Sequence, residues 1–140
     1  MSEKLNLEVV TPNRIILKEE VEAVTLPGIE GEMGILYEHV PLLTTLDTGL
    51  LSYSSDGKTK TIAVLWGYAQ VDGNDVRVLA ELAEEASEID IQRAKDAESK
   101  AKEILSNPSL EDWKEEEKRQ KKYESKLRRS LVRQRAVKSM

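Results

Sequence analysis

The chain has no cysteine, no phenylalanine and a single histidine among its 140 residues. Without cysteine, neither disulfides nor thiolate metal sites contribute to the fold. One imidazole, His39, with no HxH or HxxxH partner excludes the usual nitrogen-rich metal sites, and no metal-ligating set stands out. Aromatic residues make up only 4% of the chain, so the core must rest on Leu, Ile and Val. No apolar run approaches the roughly 20 residues needed to cross a bilayer. The first residues, MSEKLNLEVV, are polar and alternating, unlike a signal or transit segment, so the expectation is a soluble protein made where it works. Gly-x-Ser-x-Gly, Walker-type and Ser-His-Asp patterns are also missing, and no catalytic residue is assigned.

Charge, by contrast, is plentiful and unevenly placed. The net of −5 divides into −9 over residues 1–87 and +4 over residues 88–140. Within 120–140 eight basic residues face one acid, Glu124. Such a division marks regions with different partners.

The hydrophobic pattern divides at the same place. Leu5, Leu7 and Val9 alternate with Asn6 and Glu8, the period of a half-buried strand. Strands are expected over 14–18, 21–26, 49–54, 59–66, 68–71 and 76–82, with hairpin turns at Ser55-Asp56-Gly57 and Asp72-Gly73-Asn74. From Ile89 the period lengthens: Ala94, Ala97, Ala101, Ile104 and Leu105 recur at three- and four-residue steps, predicting a helix over 89–105. Asn107-Pro108 ends it, and Ser109-x-x-Asp112 resembles a capping box opening a second helix that runs to about Lys138. The expected fold is α+β: an N-terminal all-β sandwich over 1–86, then a C-terminal antiparallel two-helix hairpin over 87–140. The second helix has a thin apolar stripe, Leu110, Trp113, Tyr123, Leu127, Leu131 and Val137, and the first offers mostly alanine. At roughly 25 cal/mol per Å² such a seam stabilises docking by only a few kcal/mol. A hairpin held this weakly is expected to detach and extend.

The stretch that organises the strands is LPGIEGEMGILYEHVPLLTTLDTGLL, Leu26 to Leu51, with four glycines, two prolines and the histidine. Pro27-Gly28 reads as a tight turn with φ > 0 at Gly28, and Gly31 and Gly34 as further loop glycines. His39 is expected to hydrogen-bond the loop around Pro41. The pattern LPGxxGxxGIL, then His-x-Pro-Leu-Leu-Thr-x-Leu, resembles the ε subunit of the F-type ATP synthase. Trp66-Gly67-Tyr68-Ala69-Gln70-Val71, Val76 to Ala80, and Ile89-Asp90-x-x-Arg93-Ala94 follow in the order and spacing of that family.

The resemblance implies a non-catalytic central-stalk subunit that couples the γ subunit to the membrane c-ring during ion-driven ATP synthesis. It implies a peripheral position on the cytoplasmic face of a bacterial inner membrane, or the stromal side of a thylakoid membrane if the chain is plastid. Gly31, Glu32 and Met33 take the positions that face the rotor ring, where composition alone gives a polar loop. Asp90 by itself is a helix N-cap. By resemblance Asp90, Arg93 and Glu84 belong to a regulatory ATP site, with Lys100 where an arginine is expected; lysine lacks the planar fork for phosphate. No cofactor is required, and ATP would be a regulatory ligand. Lys122, Lys126, Arg128, Arg129, Arg133 and Arg135 form a basic face that the resemblance turns toward acidic segments of the α and β subunits when the hairpin extends, inhibiting ATP hydrolysis. Trp66 stands where the family has glycine, and Tyr37-Glu38 where a Pro-Gly pair is common. The alternative is a stand-alone β-sandwich binding module whose hairpin mediates assembly or binds nucleic acid. The acidic sandwich and the lack of a recognition motif speak against nucleic acid.

Overall fold

The computed structural model describes residues 3–109 and 111–140. Eight strands come first: β1 (Leu5–Val10), β2 (Ile15–Val21), β3 (Ala23–Gly28), β4 (Gly31–Leu36), β5 (Leu42–Leu46), β6 (Gly49–Ser55), β7 (Lys58–Asp72) and β8 (Asp75–Glu85). A single 3₁₀ turn, Ala86–Glu88, leads to helices α1 (Ile91–Ser106) and α2 (Trp113–Lys138). The strands follow the order β2-β1-β8-β7-β5-β3-β4, with β6 pairing both β3 and β7, so the sheet folds over on itself. All pairs are antiparallel except β1 with β8. Period-two alternation in β1 and β8 sends Leu5, Leu7, Val9, Val76, Val78 and Ala80 inward, where they meet Leu26, Ile35, Leu46 and Leu51 in one apolar core. This is the expected β-sandwich with a helical hairpin.

β7 is the spine. The sequence predicts two strands here, and the structure joins them into one of 15 residues. Along one edge it pairs β8 from Ile62↔Glu85 to Asp72↔Asp75, skipping Trp66; along the other it pairs β6 up to Gly49↔Val64 and β5 from Leu46↔Gly67. Trp66 lies at this exchange of partners with φ +59°, a left-handed conformation. Before it the even positions Ile62 and Val64 face the core; after it the odd positions Ala69 and Val71 do. The non-glycine kink therefore lets one strand serve both layers with its apolar side inward.

The glycine-rich stretch differs from its sequence reading. Pro27 and Gly28 are strand residues, paired with Glu32 and Gly31, and the turn falls on Ile29-Glu30. The left-handed glycine is Gly31, at φ +133°, not Gly28. Gly28 is needed for closeness: a Cβ there would lie 2.7 Å from the Gly31 carbonyl oxygen. Gly34 is also within β4. Antiparallel pairing of two short strands settles the turn, which spacing of glycines alone does not reveal.

α2 also departs from expectation. Asp112 is its N-cap, accepting from the Lys114 and Glu115 amides at 3.1 and 3.4 Å, so the helix opens three residues after Ser109. Of the stripe read from sequence, Tyr123, Leu127 and Val137 are half-buried, Trp113 and Leu131 are exposed, and Leu110 lies outside the described residues. Ser130, Val132, Gln134 and Ala136 are buried instead. The reason is that α2 is gripped on two sides. Ser130 and Gln134 lie within a stripe that faces the alanines Ala94 and Ala101 of α1, and Gln134 donates to Glu98 of α1 at 3.2 Å. Val132 and Ala136 pack on Ala63 and Ala86 of the sandwich. Buried Ser130 is satisfied by donating to the Leu127 carbonyl at 2.7 Å.

Candidate functional site

β8 hands over to α1 through the 3₁₀ turn, and α2 packs back along α1 and onto β6 and β7. Between the helices lies an open cavity of about 520 Å³. Glu84, Asp90, Arg93 and Lys100, the four residues read as a nucleotide site, all line it. Asp90 caps α1, its Oδ1 accepting from the Arg93 amide at 3.1 Å. One carboxylate oxygen therefore faces helix N–H groups, and the other is not used by that bond.

Three members of the basic face, Lys126, Arg129 and Arg133, line the same cavity, together with Tyr123. They follow one another at three- and four-residue steps along α2, one turn each. That spacing was legible; what sequence could not supply was the crossing of α2 over the start of α1. Five cations, Arg93, Lys100, Lys126, Arg129 and Arg133, thus meet three acids, Glu84, Glu88 and Asp90, around one space. Arg133 donates through Nε and Nη2 to one oxygen of Glu84, at 2.8 and 2.7 Å. Among the described residues the other four cations make no ion pair. Unpaired guanidinium and ammonium groups converging on a cavity suit an anionic ligand.

The remaining basic residues do not share this space. Arg128 points to the β5–β6 turn and pairs with Asp47 at 2.8 Å. The Lys122 ammonium lies 5.7 Å from the centre of the Tyr123 ring, the same ring that Lys126 of the cavity approaches at 5.0 Å. Arg135 is exposed. The basic stretch is thus divided around the helix in the docked hairpin.

On the β3–β4 hairpin, Gly31, Glu32 and Met33 open β4. Alternation leaves Glu32 exposed and turns Met33 partly onto the core. In the following loop the His39 amide donates to the Leu36 carbonyl at 3.1 Å, and His39 Nδ1 lies 2.7 Å from the Val40 carbonyl, to which it donates. Pro41 then leads into β5.

A second feature escaped the sequence reading. The outward face of β5, β7 and β8 carries Leu43, Trp66, Tyr68 and Leu79, exposed by 74, 46, 47 and 52%. Thr45, Tyr68 and Leu79 stand in one cross-strand row, with Leu43, Gln70 and Arg77 in the next. Trp66 meets Tyr68 edge to face, with ring centroids 5.5 Å apart. Apolar side chains grouped on a solvated sheet face mark a contact surface. The signal was present: Leu79 breaks the polar-outward alternation of β8.

Residues 4–86 match the family described as "ATP synthase, Delta/Epsilon chain, beta-sandwich domain". The chain belongs to the ATP synthase delta/epsilon family. An ATP synthase epsilon chain of Geotalea daltonii is 45% identical over 133 residues, 95% of this chain and 93% of that one. An epsilon chain of Carboxydothermus hydrogenoformans is 50% identical over 105 residues, 75% of this chain and 78% of the other. The Geotalea daltonii match, at 95% of the chain, carries the epsilon resemblance past the sandwich and into both helices. In fold, the chain is similar to one in the Euglena gracilis mitochondrial ATP synthase, OSCP/F1/c-ring in rotational state 1, with TM-score 0.82 and 24% identity over 98% of this chain and 83% of that one.

Proposed function

We propose that this chain is the ε subunit of an F-type ATP synthase, a non-catalytic part of the central stalk that couples γ to the c-ring. The observation that carries this is the 45% identity to an epsilon chain along 95% of the length. The apolar face of Leu43, Trp66, Tyr68 and Leu79 is the surface assigned to γ, because it is the exposed apolar group a permanent partner would cover. The Gly31–Met33 end of the sandwich, with Glu32 in solvent, is assigned to the ring. Such a subunit sits peripherally at the membrane that holds the ring; among the described residues no helix is long and apolar enough to cross one. The hairpin restrains ATP hydrolysis when it leaves the sandwich, presenting its basic residues to acidic segments of α and β.

The test is hydrolysis by the cognate catalytic head with γ, comparing the full chain with one ending at Ser87. Suppression by the full chain alone assigns restraint to the hairpin. Failure of both forms to bind γ would sink the stalk assignment.

The cavity supports a second role for the hairpin, as a site for ATP acting as a regulatory ligand. Four lining cations that make no ion pair among the described residues support the phosphate end, and Asp90, on the same lining, is assigned the adenine amino group. Calorimetric titration with ATP tests it: Arg93→Gln should weaken binding at least tenfold, and undetectable binding by the unaltered chain rejects the site.

A further inference from the structure

The hold of the hairpin on the sandwich is unusual in its composition. Its apolar part is Ala63, Ala86, Val132 and Ala136, with Leu50 and Ile89 packed against them. Three of the four buried members contribute a single methyl group each, so this seam removes little apolar surface from water. The polar part is better built. Arg128 Nη2 lies 2.8 Å from Asp47 Oδ1, and Arg133 lies 2.7 Å from Glu84 Oε1. Arg128, Val132 and Ala136 follow at four-residue steps and Arg133 adjoins them, so the two pairs flank the seam.

Both acids are pre-positioned on the sandwich. The Asp47 amide donates to the Pro27 carbonyl at 2.9 Å, and Asp47 Oδ1 also accepts from the Thr48 amide at 2.8 Å. Glu84 stands on β8 directly opposite Ala63 of the seam. The other ion pairs of α2, Glu115–Lys118, Glu116–Arg119 and Glu117–Lys121, are internal to the helix. Among the described residues, the two arginine pairs are therefore the ion pairs that join α2 to the strands.

We propose that Arg128–Asp47 and Arg133–Glu84 form an ionic latch, and that ionic strength sets the fraction of chains with the hairpin docked. The side chains of both pairs remain part exposed, so salt reaches them and screens them. The apolar seam supplies a contact that salt does not weaken but that is small. The latch concerns docking alone and does not depend on restraint of hydrolysis.

The experiment uses the full chain with a nitroxide at Ser139→Cys, which lines a small cleft with Thr59 and Thr61 of β7. In the docked form the label broadens the amide signals of Thr59–Thr61. Raising salt from about 0.05 M to about 0.5 M, where the screening length falls from about 14 Å to about 4 Å, should relieve that broadening. Asp47→Asn and Glu84→Gln should each raise the undocked-to-docked ratio by up to about fivefold. The double variant should lose most of its salt response, and exchanging partners, Asp47→Arg with Arg128→Asp, should restore docking. Unchanged β1 amide shifts show that the sandwich stays folded in every variant. Broadening indifferent to salt and to both neutralisations overturns the latch, as does its absence at low salt. No partner subunit is present, so either result leaves the hydrolysis test standing on its own.

Discussion

Of the three non-glycine residues at positive φ among the described residues, Asp56 sits in the turn between β6 and β7, whereas Glu38 at φ +64° and Trp66 at φ +59° hold conformations that glycine takes without cost. They are also positions where the resemblance to the ε family leads one to expect glycine. A left-handed non-glycine residue costs about 1–2 kcal/mol, so Glu38→Gly should raise the unfolding free energy by about 1 kcal/mol in a urea titration. Trp66→Gly is different, because the edge-to-face contact with Tyr68, worth about 0.5–1.5 kcal/mol, is lost with it. The two terms nearly cancel, leaving stability within about 1 kcal/mol of the starting value while γ binding falls. Next to it, a Cβ at Gly67 would meet the Leu79 carbonyl oxygen and come within 2.8 Å of Ala80 Cα. Both are backbone atoms of the paired strand, so Gly67→Ala should destabilise by at least about 2 kcal/mol, read in the same titration. Tyr53 gives a pH signature. Burial, and then the nearby Glu19 and Glu85 carboxylates, push its hydroxyl up from 10.0 to about 12. The neutral form is favoured in the folded chain, so its contribution is complete below pH 10.0 and is lost as pH rises towards about 12, where the unfolded chain ionises first. Tyr53→Phe should remove that alkaline decline from a series of melts.

At the scale of elements, alternation and turn dipeptides place most strands and both helices, because these signals are local. What escaped depends on pairing. Whether Pro27-Gly28 is turn or strand is decided by its partners Gly31 and Glu32, and the union of two expected strands into β7 by β8 alongside. The inward face of α2 is wider than the apolar stripe for a related reason. An apolar stripe is sought on one side, whereas this helix buries Ser130 and Gln134 toward α1 and Val132 and Ala136 toward the strands. The candidate ligand residues on α1 come with the resemblance to the ε family, because Asp90-x-x-Arg93 reads locally only as a cap and a helical residue; those on α2 lie beyond the turn between the helices, and only the packing of α2 against α1 unites them. Asp90 has two roles that substitution can separate. Asparagine caps helices about as well as aspartate, whereas alanine costs about 1 kcal/mol. Asp90→Ala should therefore loosen α1, seen as faster amide exchange at Arg93 and Ala94, while Asp90→Asn should not. A loss of ATP binding in the asparagine variant alone would assign the carboxylate to the ligand.

For the molecule as a whole, the two proposed contact surfaces lie on different units: the apolar face on β5, β7 and β8, and the basic groups on α2. Leu43→Asp with Leu79→Asp should abolish co-purification with γ, yet leave the melting temperature within a few degrees, because both side chains already stand in solvent. The latch variants should do the reverse, keeping γ while shifting the hairpin. The two tryptophans happen to be divided the same way. Trp66 stands on the outer sheet face and Trp113, 70% exposed, at the first turn of α2. The sandwich and the hairpin thus each carry one native fluorophore, and replacing either by phenylalanine leaves a single-reporter chain. Emission from Trp66 then follows capture by the shaft and emission from Trp113 follows the hairpin, so the order of the two events in one mixing experiment can be timed without attaching a dye.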